Sequence, residues 1–135
     1  MTASRKLSKG RRSGHAATEL ALLLPFLCFL CLVAVDYARM VNALVTITNC
    51  ARNGALFLSN QASYSTYYAS VTAAATADAG SLSPTPTVSS ANYTDSYGNP
   101  CVTVTVNYTF TTFVNYPGIP STSTLSRSVS MPVNN

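Results

Sequence analysis

The feature that most constrains this chain is an uninterrupted apolar run near its N-terminus. From Leu20 to Val35, sixteen consecutive residues carry no polar side chain, and Ala16 and Ala17 lengthen the run at its start. A helix that spans a bilayer needs about 20 such residues. A cluster of cations precedes the run, namely Arg5, Lys6, Lys9, Arg11 and Arg12. A buried helix of a soluble protein rarely follows directly on such a cluster, so the pattern predicts a membrane-spanning helix whose N-terminus is cytoplasmic.

A secretory signal peptide is the alternative for the same segment, because it also places a basic stretch before an apolar one. However, the run is long for such a peptide. No clean small-residue cleavage site follows it, since Ala34 and Ala38 match that pattern only loosely. Helical character also continues past the run. The sequence therefore favours a retained membrane helix, and release of a secreted domain near Ala38 stays open as an alternative.

The basic charge of the chain is concentrated in its first residues. Five of the eight cations lie before residue 14, and the rest of the chain has three cations against four acids, a formal charge of −1. A nucleic-acid-binding domain would need clustered cations on its folded surface. We therefore predict no nucleic-acid partner.

Beyond the apolar run, polar and apolar residues recur at helical spacing until about residue 60. The polar stripe consists of Asp36, Arg39, Asn42, Thr46, Asn49 and Asn53. The opposite, apolar stripe consists of Val41, Leu44, Val45, Thr48, Ala51 and Ala55. This spacing predicts that one helix begins in the membrane and continues outside it as a stem, whose apolar stripe needs a partner.

The remainder of the chain predicts a short helix followed by strands. Tyrosines and alanines at near-helical spacing suggest a second helix within residues 61–80, and the prolines of 81–87 mark a linker. Between Cys101 and Phe113, β-branched and aromatic residues alternate with threonines, which is typical of a half-buried strand. A weaker strand is predicted over Val88–Thr94 and a third from Leu125 to Val133. We expect an α+β fold with the stem helix packed on a small antiparallel three-stranded sheet.

Two short blocks of sequence resemble a known family. Residues 14–25 read GHAATELALLLP, with a small residue and a glutamate before an apolar helix that carries an early proline. Residues 51–55 read ARNGA, similar to an Ala-Arg-Glu-Gly-Ala block with Asn53 in the place of the usual glutamate. The separation of the two blocks resembles that of the TadE/TadG-like family, which comprises pseudopilin-like proteins of tight-adherence (Flp) pilus systems.

That resemblance implies a processing site and an assembly residue. A prepilin-type peptidase would cut after Gly14, so that His15 becomes the first residue of the mature chain. Glu19 would then be the fifth residue, where pilin-like proteins carry a glutamate that pairs with the N-terminal amine of a neighbouring subunit. An interfacial glutamate near the lipid headgroups is the plainer alternative. The domain organisation is then a basic leader at 1–14, a transmembrane and stem helix at 15–60, and an extracytoplasmic helix and sheet domain at 61–135.

The four cysteines divide into two pairs. Cys28 and Cys31 lie in the apolar run, where they are expected to pack against lipid or other helices. Cys50 and Cys101 are expected outside the cytoplasm, where disulfides persist. One lies on the stem and the other opens the best strand. They are candidates for a helix-to-sheet disulfide, with two separate buried thiols as the alternative.

The composition argues against an enzyme. His15 is the sole histidine, and no phosphate-binding loop, metal-ligand cluster or catalytic triad can be assembled from the remaining residues. We therefore expect no catalytic residues, no cofactor and no metal. The expected function is that of a minor pilin or pseudopilin in the cytoplasmic (inner) membrane, with the membrane, other pilin-like subunits, a pilus assembly platform and a prepilin-type peptidase as partners. The alternative is a single-pass envelope protein that does not polymerise.

Overall fold

The structure, a computed structural model, describes residues 13–60 and 67–134. Within these residues, two helices, α1 (Ser13–Ser59) and α2 (Val71–Thr76), precede three strands, β1 (Thr87–Thr94), β2 (Pro100–Thr111) and β3 (Thr122–Pro132). The predicted α+β fold, a long N-terminal helix with a three-stranded antiparallel sheet, is confirmed. Most of the predicted leader, residues 1–12, lies outside the described residues.

The chain divides into two compact units, the first ending at Val35 and the second beginning at Asp36. In the first unit every residue from 14 to 35 is exposed, and Leu22 reaches 82% exposure. This stretch is long and apolar enough to cross a membrane. Pro25 lies inside the helix and lacks the N–H that would bond to the preceding turn. An exposed helix surface made of apolar side chains fits lipid as its surroundings.

In the second unit the sheet has the order β1-β2-β3, with β2 antiparallel to both neighbours. Val104 lies at its centre, opposite Ser90 on one side and Val129 on the other. The alternation predicted for β2 is present, because Val102, Val104 and Val106 are buried. The other face carries hydroxyl rows, in which Thr103 and Thr105 hydrogen-bond to serines of β3 at 2.7 and 2.8 Å. One face of the sheet therefore forms the core and the other meets solvent.

The stem half of α1 covers the apolar face, with a buried stripe that differs from the predicted one. This stripe consists of Met40, Ala43, Leu44, Ile47, Cys50, Ala51, Gly54, Ala55 and Leu58, all of them buried or half-buried. Val41, Val45 and Thr48, which were assigned to the packing stripe, are exposed. Asp36, assigned to the polar stripe, is 95% buried, with 5% exposure. The packing stripe therefore lies on the side of the helix that carries Asp36, which is buried with the core residues.

Gly54 lies where α1 approaches both the sheet and α2 closely. A Cβ atom added at Gly54 would lie 3.0 Å from Val104 Cγ1 and 3.1 Å from Ala75 Cβ. Ala51 and Ala55, on either side of it, are fully buried. Small residues at 51, 54 and 55 therefore allow the helix backbone to pack directly on β2.

The predicted second helix is shorter than expected. It covers Val71–Thr76, and Ser70 caps it by accepting a hydrogen bond from the Ala73 N–H. Residues 61–66, where the predicted helix begins, lie outside the described residues. The end of α1 is tied to the end of β3, because the Ser59 hydroxyl donates to the Pro132 carbonyl at 2.6 Å and the Asn134 N–H donates to the Ser59 carbonyl.

Candidate functional site

The residues predicted for processing and assembly lie in the first turns of α1. Gly14 and His15 are exposed, and a Cβ added at Gly14 would meet nothing within 4 Å. Thr18 closes the turn, since its hydroxyl donates to the His15 carbonyl at 2.7 Å. Among the described residues nothing packs against Gly14, and cleavage after it stays a prediction.

Glu19 is exposed at the predicted assembly position, one turn beyond His15. Its side chain is 67% exposed, and its Oε1 lies 3.5 Å from His15 Nδ1. This i,i+4 spacing places both groups on one side of the helix. The carboxylate is therefore accessible to a group from a neighbouring molecule, and the sequence-based role of Glu19 stays a prediction.

The second polar centre is the one that sequence reasoning missed. Asp36 lies at the start of the second unit and accepts hydrogen bonds from the loop between β2 and β3. The Phe113 N–H donates to both carboxylate oxygens at 2.9 and 3.0 Å, and the Tyr116 hydroxyl donates to Oδ2 at 3.0 Å. Arg39 completes the set with an Nη1–Oδ1 distance of 2.9 Å, while its guanidinium lies 5.4 Å from the centre of the Phe110 ring. These contacts connect the stem to the end of β2 and to the loop that follows it. They involve the side chains of Asp36, Arg39, Phe110 and Tyr116 and the Phe113 N–H.

These contacts change the ionisation of the two acidic groups. Burial raises the pKa of Asp36, but the hydrogen bonds from Phe113, Tyr116 and Arg39 outweigh it and leave the pKa below its ordinary value. Burial raises the pKa of Tyr116, and the neighbouring Asp36 carboxylate raises it further. The arrangement therefore keeps Asp36 charged and Tyr116 protonated.

The predicted disulfide between Cys50 and Cys101 is not formed in the structure, where both residues are buried and carry free thiols. Cys50 faces the core from α1. Cys101 belongs to the alternate residues of β2, together with Thr103 and Thr105, whose side chains leave the sheet on the face away from α1. Both thiols are thus free in the structure, and their pairing under oxidising conditions stays a prediction. Burial raises the pKa of the Cys50 thiol, and the charge of Asp78 raises it further.

The ARNGA block has a packing role in the structure. Its alanines and Gly54 contact the core, while Asn53 donates from Nδ2 to Asp78 Oδ2 at 2.8 Å. A glutamate at position 53, as in the block that this one resembles, would place two carboxylates together. An asparagine at position 53 can instead donate a hydrogen bond to Asp78, the acidic residue that follows α2. Arg52 is exposed on the same stretch of helix.

Comparison with known proteins identifies the same region of the chain. Residues 14–56 match the family model of TadE-like proteins, which confirms the family resemblance over this segment. The match implies a membrane-anchoring helix and an association with a Tad pilus system. No curated protein matches the chain, and no solved structure does.

One local feature of the sequence pointed to the polar centre around Asp36. Asp36 directly follows the apolar run and is one of four acids in the chain. Its i,i+3 spacing to Arg39 is that of a helical ion pair. The partners in the β2–β3 loop, however, are 77 and 80 residues away, so no local pattern could have indicated them.

Proposed function

We propose that this chain is a minor pilin or pseudopilin of a tight-adherence (Flp-type) pilus or secretion apparatus, acting structurally through helix packing and not as an enzyme. The observation that carries the proposal is Glu19, an accessible carboxylate at the start of an apolar helix that matches the TadE-like family model. A pilus subunit needs a membrane anchor before assembly and a helix surface for contact with its neighbours. The exposed apolar half of α1 supplies both.

The proposal includes a membrane arrangement. The helix lies in the cytoplasmic (inner) membrane, with the cationic leader in the cytoplasm and the sheet domain outside, following the positive-inside rule. A prepilin-type peptidase removes residues 1–14, and the mature chain joins other pilin-like subunits on an assembly platform. The family match and the five cations before the apolar run support this arrangement.

Glu19 has a physical reason to seek a partner. A carboxylate on a membrane helix costs about 2.5–3.5 kcal/mol at the bilayer centre and less near the interface. Cleavage after Gly14 would create an N-terminal amine on each subunit, and this cation can neutralise the carboxylate of a neighbour. Pairing would thus couple processing to assembly, because the unprocessed chain lacks the amine at that position.

The contacts of Asp36 disfavour a secreted domain released near Ala38. Such a cut would separate Asp36 from the domain and leave the Phe113 N–H and the Tyr116 hydroxyl without their acceptor. A buried donor that loses its acceptor is destabilising by about 1–3 kcal/mol. A released domain would therefore be less stable than the anchored one.

Replacement of Glu19 tests the assembly role. In cells that produce the whole pilus system, Glu19→Ala should insert into the membrane normally but co-purify with other pilin-like subunits about tenfold less, as expected for a lost charge-assisted hydrogen bond. Thr18→Ala, one residue earlier and also exposed, is the matched control and should behave like the original chain. Undiminished co-purification of Glu19→Ala would favour the non-polymerised envelope protein.

A further inference from the structure

An open groove runs along one side of the stem, on the half of the sheet that α2 does not cover. The groove has a volume of about 260 Å³ and is lined by Val41, Leu44, Val45, Thr48, Asn49 and Arg127. Five of these residues lie on α1 and one on β3. We refer to these six residues as the stem groove.

The two flanks of the stem are covered differently. Towards β1, α2 packs against α1, where Val71 and Ala75 lie next to Gly54. Towards β3, the core-facing residues Leu125 and Val129 are only half-buried. This side of the stem is therefore left open for a partner along residues 41–49.

Arg127 gives this groove its charge. It is opposite Val106 in the β2–β3 register, so it lies on the core face of the sheet, between Leu125 and Val129. Its guanidinium donates to the Ser126 carbonyl at 3.3 Å, and among the described residues it forms no ion pair. Arg52 extends the exposed column of Val41, Val45 and Thr48 by one further turn. A groove with three apolar side chains and Arg127 in its lining, and with Arg52 exposed beyond its end, is complementary to an amphipathic helix that carries carboxylates.

A second copy of this chain does not offer such a helix. The sequence has four acids. Glu19 lies at the start of the apolar run, and Asp36 is buried and bonded to the β2–β3 loop. Asp78 is bonded to Asn53, and Asp95 is bonded within its own turn. The stem of a second copy of this chain therefore offers no unbonded carboxylate along residues 41–49, where the groove lies.

We propose that the stem groove docks the stem helix of a different membrane-anchored subunit, one that carries an acidic residue facing Arg127. This inference rests on the proposed function, because it names the surface through which the chain would meet another subunit. The groove spans nine residues of helix, about 13 Å at 1.5 Å per residue, and it begins five residues after Asp36. Its length along the helix favours a protein helix over a single lipid headgroup. The partner must stay close to the membrane surface, as an anchored stem does.

Site-specific crosslinking in cells that produce the whole pilus system tests this proposal. A photoreactive p-benzoylphenylalanine replaces Val45 in the full-length chain, and a matched control carries it at Tyr97, which is 91% exposed in the turn between β1 and β2. We expect crosslinking from position 45, and not from 97, to the extracytoplasmic helix of another anchored subunit, with an Asp or Glu within one helical turn of the attached residue. Arg127→Glu should lower the yield about tenfold without changing thermal unfolding, and Arg127→Lys should retain most of it. Replacement of the partner's acid by arginine should restore crosslinking to Arg127→Glu.

Other results would overturn the proposal. Crosslinks to a second copy of the chain, to lipid alone, or equally from positions 45 and 97 would each exclude an acidic partner stem in the groove. So would crosslinking that is insensitive to Arg127→Glu. If the chain still co-purifies with pilin-like subunits through Glu19 while position 45 gives no such crosslink, the groove proposal fails and the proposed function stands. If it co-purifies with no pilus component, both fail.

Discussion

The two halves of α1 share one secondary structure but have different surroundings. Every residue from 14 to 35 is exposed, although the stretch is almost entirely apolar. From Asp36 to Ser59 the helix is less apolar overall, yet Ile47, Cys50, Ala51 and Ala55 have no exposed surface. The amount of apolar surface thus does not determine what covers it. A helix that is apolar on all sides suits lipid, whereas a stripe of small and apolar residues specifies packing on a sheet.

The largest expected difference between the two halves of α1 is the effect of an alanine substitution on the free energy of unfolding. Ile47→Ala removes a fully buried side chain from the core and should lower the free energy of unfolding of the sheet domain by about 2–5 kcal/mol. Leu24→Ala, in the exposed half, should change it by less than about 0.5 kcal/mol. Thermal unfolding of the full chain in detergent, followed by tyrosine circular dichroism, measures both. Equal destabilisation by the two variants would contradict the division of the helix.

The Asp36 centre should make the stability of the second unit dependent on pH. Because the pKa of Asp36 is lowered in the folded state, its contribution is fully present above the ordinary value of 3.8 and is lost as the pH falls through the lower folded-state pKa. At neutral pH, Asp36→Asn should lower the melting temperature by several degrees, and the difference from the original chain should shrink in acid. Asp95 also has a lowered pKa, owing to hydrogen bonds from Asn99, and it will leave some residual dependence in the variant. An unchanged gap between the two melting curves at low pH would show that the charge of Asp36 does not matter.

A smaller effect is expected at the contact between the stem and the segment after α2. Asn53→Glu replaces a 2.8 Å hydrogen bond with two neighbouring carboxylates and should be destabilising by about 0.5–1 kcal/mol. The double variant Asn53→Glu with Asp78→Asn reverses the roles of the two residues and should recover most of the loss. Chemical denaturation of both variants measures the difference. If Asp78→Asn did not restore the stability lost in Asn53→Glu, the hydrogen bond between Asn53 and Asp78 would not be the source of the stability that Asn53 provides.

The elements that sequence reasoning predicted well are those whose pattern is local. The alternation in β2 predicted both the strand and its buried valines, and the apolar run predicted the first half of α1. The prediction of the packing stripe of the stem was wrong, because the stripe depends on contacts between distant segments. Asp36 is buried and bonded to Phe113 and Tyr116, which no local pattern indicated. The same β2 alternation that predicted the strand also places Cys101 with the threonines on the far face.

Arg127 is another residue whose surroundings could not be predicted from the local sequence pattern. Its position in β3 interrupts an otherwise regular alternation of apolar residues, and the register places it on the apolar face of the sheet. The sequence shows that the pattern is broken there. The three-dimensional arrangement shows why, because α1 and α2 leave that side of the face open.

The N-terminus of the mature chain tests the account most directly. Membrane fractions from cells that produce the whole system would be analysed by intact-mass measurement and N-terminal sequencing of the purified protein. The account predicts a chain that begins at His15, with Glu19 as its fifth residue and the whole of the apolar run retained. A chain that keeps residues 1–14, or one that begins beyond Ala34, would contradict it.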